Sequence, residues 1–110
     1  MRHLSAILAL WAGITACAQA AEPITLGLNY PRTGPYKEEG LAQMRGALLA
    51  IDEINAAGGV LGRPLRLSSK DTASRPAKAV KNVDKLAAEG AAMLFGGSSS
   101  AVAIAAGKRA

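Results

Sequence analysis

An α/β fold built on a parallel sheet is what this 110-residue sequence predicts, and three observations carry the prediction. Short stretches that alternate in polarity, or are wholly apolar, take turns with longer ones whose apolar residues recur every three to four positions. Glycine or proline punctuates nearly every junction. The resulting order is strand, helix, strand, helix, strand, helix. Right-handed crossovers convert that βαβαβα order into parallel strands with helices on both faces, a Rossmann-like arrangement.

Taken in order, Ile24-Thr25-Leu26-Gly27-Leu28 has apolar residues at every second position and reads as the first strand. Asn29 to Gly40 is turn-rich, with Pro31, Gly34 and Pro35 inside it. Leu41 to Ala57 then carries the stripe Leu41, Met44, Leu48 and Ile51, continued by Ile54 or Asn55. That spacing predicts an amphipathic helix with Gln43, Arg45, Asp52 and Glu53 on its solvated side, stopped by Gly58-Gly59. Leu65-Arg66-Leu67 is a second short strand behind Gly62 and Pro64. Ser74-Arg75-Pro76 opens the second helix: Ser74 or Arg75 is the cap, and Pro76 sits where no hydrogen-bond donor is lost. Val80, Val83, Leu86 and Ala87 form its apolar stripe, and Gly90 ends it. Ala92 to Phe95 is uniformly apolar, as in a strand covered on both faces. Gly96-Gly97-Ser98-Ser99-Ser100 turns into a third helix, Ala101 to Arg109, inside which the sequence stops. Three strands make a meagre core, so residues 21–110 are expected to be the front of a longer protein.

The first twenty residues read differently. Arg2 and His3 precede an apolar run of about 13 residues, too short to span a hydrocarbon core of ~30 Å. Ala18-Gln19-Ala20 follows as a small-residue cleavage pattern. Residues 1–20 are therefore expected to be a secretory signal peptide, and the product periplasmic. Ile14-Thr15-Ala16-Cys17 offers a competing lipobox, through which Cys17 would anchor a membrane lipoprotein.

Composition excludes several functions. Half of the residues are hydrophobic, too many for a disordered chain. Beyond Ala20 there are 12 basic and 8 acidic residues, interspersed, and aromatics make up only 4% of the sequence. A nucleic-acid surface wants a basic stripe with stacking partners, so no nucleic-acid partner is expected. The one cysteine, Cys17, and the one histidine, His3, rule out a disulfide framework, a multi-cysteine zinc site and a histidine-based triad. No catalytic residue, metal site or cofactor is expected.

In open α/β sheets, ligands bind outside the carboxyl ends of the strands. The informative loop there is Gly96–Ser100, where hydroxyls and free amides meet a helix N-terminus suited to an anion. The same serines would serve equally as a helix cap. A P-loop is ruled out, since Gly107-Lys108 is followed by Arg109. Gly97-Ser98-Ser99-Ser100-Ala101 approaches the nucleophile elbow of an exported α/β hydrolase, but no histidine follows the leader. Asp52 and Glu53 read as solvated, and Asp71, at a strand's carboxyl end, as a turn cap before a metal ligand.

Thr33-Gly34-Pro35, the block Ala50-Ile51-Asp52-Glu53-Ile54-Asn55-Ala56-Ala57-Gly58-Gly59-Val60-Leu61-Gly62-Arg63, Lys70-Asp71-Thr72 and the serine turn follow one pattern. It resembles the start of a type I periplasmic solute-binding protein of the leucine/isoleucine/valine-binding family. The resemblance implies the truncated N-terminal lobe of a two-lobed, monomeric protein that delivers a small solute to the membrane permease of an ABC-type importer. A branched-chain amino acid is the default solute. Its α-carboxylate would meet Ser98, Ser99 and Ser100, Ser99 foremost, with further contacts falling on Tyr36 to Glu39. Some relatives carry a disulfide at the places held here by Ser74 and Ser98. Ser74 is otherwise expected to stand apart from the solute. A ligand-sensing receptor domain is the other use of such a lobe. Mass spectrometry of the exported product should find Ala21 at its N-terminus; a diacylated Cys17 there would replace the soluble reading with the lipoprotein one.

Overall fold

The computed structural model describes residues 21–110, so the signal-peptide and Cys17 readings lie outside the described residues. Its elements are β1 (Ile24–Tyr30), α1 (Lys37–Ala56), β2 (Leu65–Asp71), α2 (Pro76–Ala88), β3 (Met93–Gly96) and α3 (Ser100–Arg109). The strands form one parallel sheet in the order β2-β1-β3. The α/β, parallel-sheet expectation holds.

The order matters more than the count. The chain leaves β1 sideways to β2, then returns across β1 to reach β3. With right-handed crossovers this reversal places α1 on one face and α2 on the other. Alternation along β1 agrees. Asn29 Nδ2 donates to the Ala79 carbonyl of α2 at 3.0 Å, and a Cβ on Gly27 would meet Leu86 of α2. Leu26, Leu28 and Tyr30 therefore point to α1. Leu28, Tyr30 and Ile51 form the buried core on that side; Ala79, Val83, Leu86 and Val102 form it on the other. Arg109 Nε bonds Asp84 Oδ1 at 2.7 Å and ties α3 to α2.

Several local expectations are corrected. Helix α1 starts one turn early, at Lys37, and its inward stripe is Gly40, Met44, Ala47, Ile51 and Asn55. Leu48 is 46% exposed. The rotation follows from Gly40: a Cβ there would lie 1.8 Å from the Pro31 carbonyl oxygen, so only glycine lets the helix rest on the chain leaving β1. Asn55 turns inward for a polar reason, since its side-chain amide both donates to and accepts from the backbone of Leu65, pinning the start of β2. Strand β2 runs on through Ser68-Ser69-Lys70-Asp71, paired with Gly27 to Tyr30. Those polar residues are tolerated because β2 is an edge strand. Among the described residues α1 lies over β1 and β2, and Met93 of β3 is 55% exposed. No helix among the described residues is long and apolar enough to cross a membrane.

Two glycines of one helix should respond oppositely to a methyl group. Gly46 has open space around its Cβ position, so Gly46→Ala should stabilise by about 0.5–1 kcal/mol. Gly40→Ala should destabilise by about 3 kcal/mol or more, because the obstruction is backbone. Chemical denaturation of the two variants of the full-length protein checks the pair.

Candidate functional site

Strands β1 and β3 are neighbours, with Asn29 opposite Gly96, yet α1 and α3 leave them toward opposite faces. A parallel sheet opens a crevice where consecutive connections diverge in this way, at the carboxyl ends of the two strands. Its walls here are residues 31–36 and the turn 97–99.

The turn is built by backbone crowding. Gly96 has φ +115°, and a Cβ there would lie 2.3 Å from the Asn29 carbonyl oxygen, so no other residue fits. Ser98 follows with φ +36°, in the left-handed region that a serine enters at a cost. Ser99 then returns to extended geometry as the N-cap of α3, its Oγ accepting from the Val102 amide at 3.3 Å. Capping is thus a real use of the serine run. The Ser99 amide itself donates back to the Gly97 carbonyl, so it does not face the crevice as a free donor. The free amides are those of Ser100 and Ala101, which have no acceptor among the described residues. Ser98 Oγ is buried without a partner. Two free amides at a helix N-terminus, flanked by hydroxyls and no basic side chain of the turn, favour a small anion.

On the opposite wall Tyr36 is the N-cap of α1, 41% exposed, and Glu39 lies exposed in the first turn. No hydrogen bond joins either to the serine turn among the described residues. The structure sets the five sequence-predicted residues just beyond the carboxyl ends of adjacent strands. A cavity of about 160 Å³ lies between β3 and α3; it reaches Asn29, Gly96 and Gly97 at the strand ends but is lined mainly by apolar groups including Leu94, Phe95, Val102 and Ala106. None of Ser98, Ser99 and Ser100 lines it, and it suits no carboxylate. No group of three or more potential metal ligands occurs among the described residues.

Residues 23–110 match the family described as periplasmic binding protein. The chain belongs to that family. It is 37% identical over 95 residues to a Leu/Ile/Val-binding protein of Rhizobium johnstonii, covering 86% of this chain and 26% of that one. It is 39% identical over 85 residues to a leucine-, isoleucine-, valine-, threonine- and alanine-binding protein of Pseudomonas aeruginosa, covering 77% of this chain and 23% of that one. Among solved structures, the branched-chain amino acid transporter substrate-binding protein of Streptococcus pneumoniae, in complex with isoleucine, superposes with a TM-score of 0.76 at 33% identity. That match covers 79% of this chain and 25% of the other. The chain thus spans about a quarter of the length of the relatives it matches.

The chain carries a feature that motif reading missed. Asp71 Oδ1 accepts from the amides of Arg32 at 2.9 Å, Thr33 at 3.2 Å and Ala73 at 2.8 Å, while Oδ2 accepts from Thr33 Oγ1 at 2.7 Å. The turn-cap reading of Asp71 therefore holds, but the turn it holds includes one 38 residues away. Ser74 is not a helix cap; Arg75 occupies that position. The Ser74 hydroxyl donates to the Thr33 carbonyl at 3.0 Å and accepts from the Tyr36 amide at 3.1 Å. Serine and aspartate after a strand were the available signal; their partner loop was not readable. Asp52 and Glu53 are exposed, as expected.

Partial burial pushes the Asp71 carboxyl up, but the Ala73 amide, the Thr33 hydroxyl and the amides of Arg32 and Thr33 outweigh it and hold the pKa at about 2. A depressed folded-state pKa contributes stability above the unfolded value of 3.8, lost as the pH falls toward 2. Asp71→Asn should therefore cost about 2 kcal/mol at neutral pH and flatten the stability profile between those two values. Denaturation midpoints across that pH range check both the size and the sign.

Proposed function

We propose that this chain is part of the solute-binding component of an ABC-type importer. It works in the periplasm and captures a branched-chain amino acid or a related small carboxylate for the membrane permease. The observation that carries the reading is the pair of free amides at Ser100 and Ala101, held open at the crevice by the Ser99 cap. The names of the matched relatives support the solute class. The carboxylate would lie across those amides with the hydroxyls of Ser98 to Ser100 around it, and Tyr36 and Glu39 would approach from the opposite wall. A second lobe closing over the crevice would supply the remaining contacts.

Binding makes the native state harder to unfold, so L-isoleucine should raise the melting temperature of the full-length protein. Ser99→Ala should weaken isoleucine binding roughly 10- to 100-fold and also remove a cap worth about 1 kcal/mol. Ser99→Asp separates the two effects. Aspartate caps as well as serine does, so the melting temperature should hold, while its charge opposes the carboxylate and should abolish binding. Calorimetric titration showing equal affinity in all three proteins would reduce the turn to a helix cap. Ester turnover that disappears in Ser99→Ala would transfer the site to the hydrolase reading.

A further inference from the structure

The loop opposite the serine turn is not free to adapt. Its amides at Arg32, Thr33 and Tyr36, the Thr33 hydroxyl and the Thr33 carbonyl are all bonded to Asp71 or Ser74. Those two residues lie at and just past the end of β2, which stands on the side of β1 away from β3. Seen from the serine turn, they brace the loop from behind without entering the crevice. The brace is backed by strained backbone: Ala73 and Ser74 have φ +50° and +59°, a region L-residues avoid unless their surroundings hold them there. Thr72, fully buried, supplies part of that hold, its Oγ1 accepting from the Ser74 amide at 3.1 Å. The Tyr36 amide, which Ser74 captures, belongs to the N-cap of α1, so the same bond sets where that helix begins.

We propose that Asp71 and Ser74 are positioning residues of the solute site, which clasp the Arg32–Tyr36 loop into a ready-made wall and so set Tyr36 and the first turn of α1 before solute arrives. The inference rests on the solute-binding reading above. A wall built in advance spares the solute the cost of ordering it, so loosening the clasp weakens binding even where the fold is untouched.

Ser74→Gly separates positioning from stability, because glycine adopts φ +59° without strain while the hydroxyl is lost. In the full-length protein, titrated with L-isoleucine, it should bind about 3- to 30-fold more weakly with an unchanged or higher melting temperature. Hydrogen exchange at the Tyr36 amide should accelerate. Asp71→Asn should weaken binding likewise and accelerate exchange at Arg32 and Thr33. Wild-type affinity in both variants overturns the positioning role while leaving the solute reading in place. A wild-type protein that binds no branched-chain amino acid removes the solute reading itself, and this proposal with it.

Discussion

Two buried amides hold the carboxyl edge of the sheet together. Asn82 Nδ2 of α2 donates to Asn29 Oδ1 of β1 and to the Asp71 carbonyl of β2, each at 3.0 Å, while Asn29 Nδ2 donates back to Ala79 of α2. Both side chains lie in the interior, Asn29 5% and Asn82 3% exposed. An amide buried there without partners would cost about 1–3 kcal/mol, so the pair tolerates one register of β1, β2 and α2 and penalises the rest. Everything at the crevice hangs from this junction. The loop after β1 starts two residues beyond Asn29, and the Asp71–Ser74 turn starts at the carbonyl that Asn82 holds.

The crevice has two walls made by different physics. The serine turn is a wall of backbone: a glycine with its carbonyl neighbour against it, a left-handed serine, then a capped helix whose first amides stay open. The facing loop is a wall of side-chain bonds, carried by one carboxylate and one hydroxyl from the neighbouring strand end. Ser74 tethers that loop by two hydrogen bonds, donating to the Thr33 carbonyl and accepting from the Tyr36 amide. Positive-φ residues stand at Ser98 in the serine turn and at Ala73 and Ser74 behind the facing loop, the latter two with their amides held by Asp71 and Thr72.

Much of the fold was legible in the sequence because burial writes a period into it. The alternation of Ile24 to Leu28, the stripe of Val83 and Leu86, and the glycine punctuation gave the elements and their order. The differences share one cause. Side-chain hydropathy points Leu48 inward and puts Gly40 in a loop because it holds no record of backbone approach; a glycine that lets a helix touch a carbonyl has no hydropathic signature. Likewise Ser68 to Asp71 read as loop, since β2's pairing with β1 holds polar residues that an isolated pattern would not call a strand.

By itself the sequence determined the α/β class, the strand ends where a site would form, and the serine-rich turn as the place suited to an anion. These follow from local chemistry, in which each residue's preference depends on neighbours within a helical turn or a strand pair. Tertiary structure decided the strand order β2-β1-β3, and with it the divergence of α1 and α3 that opens the crevice. It also decided which amides of the serine turn stay free, Ser100 and Ala101, and which loop Asp71 and Ser74 serve. Those choices rest on hydrogen bonds between groups as close as 2 and as far as 41 residues apart along the chain. A carboxylate or hydroxyl announces its appetite for a donor, but only the strand register brings a particular donor within 3 Å of it.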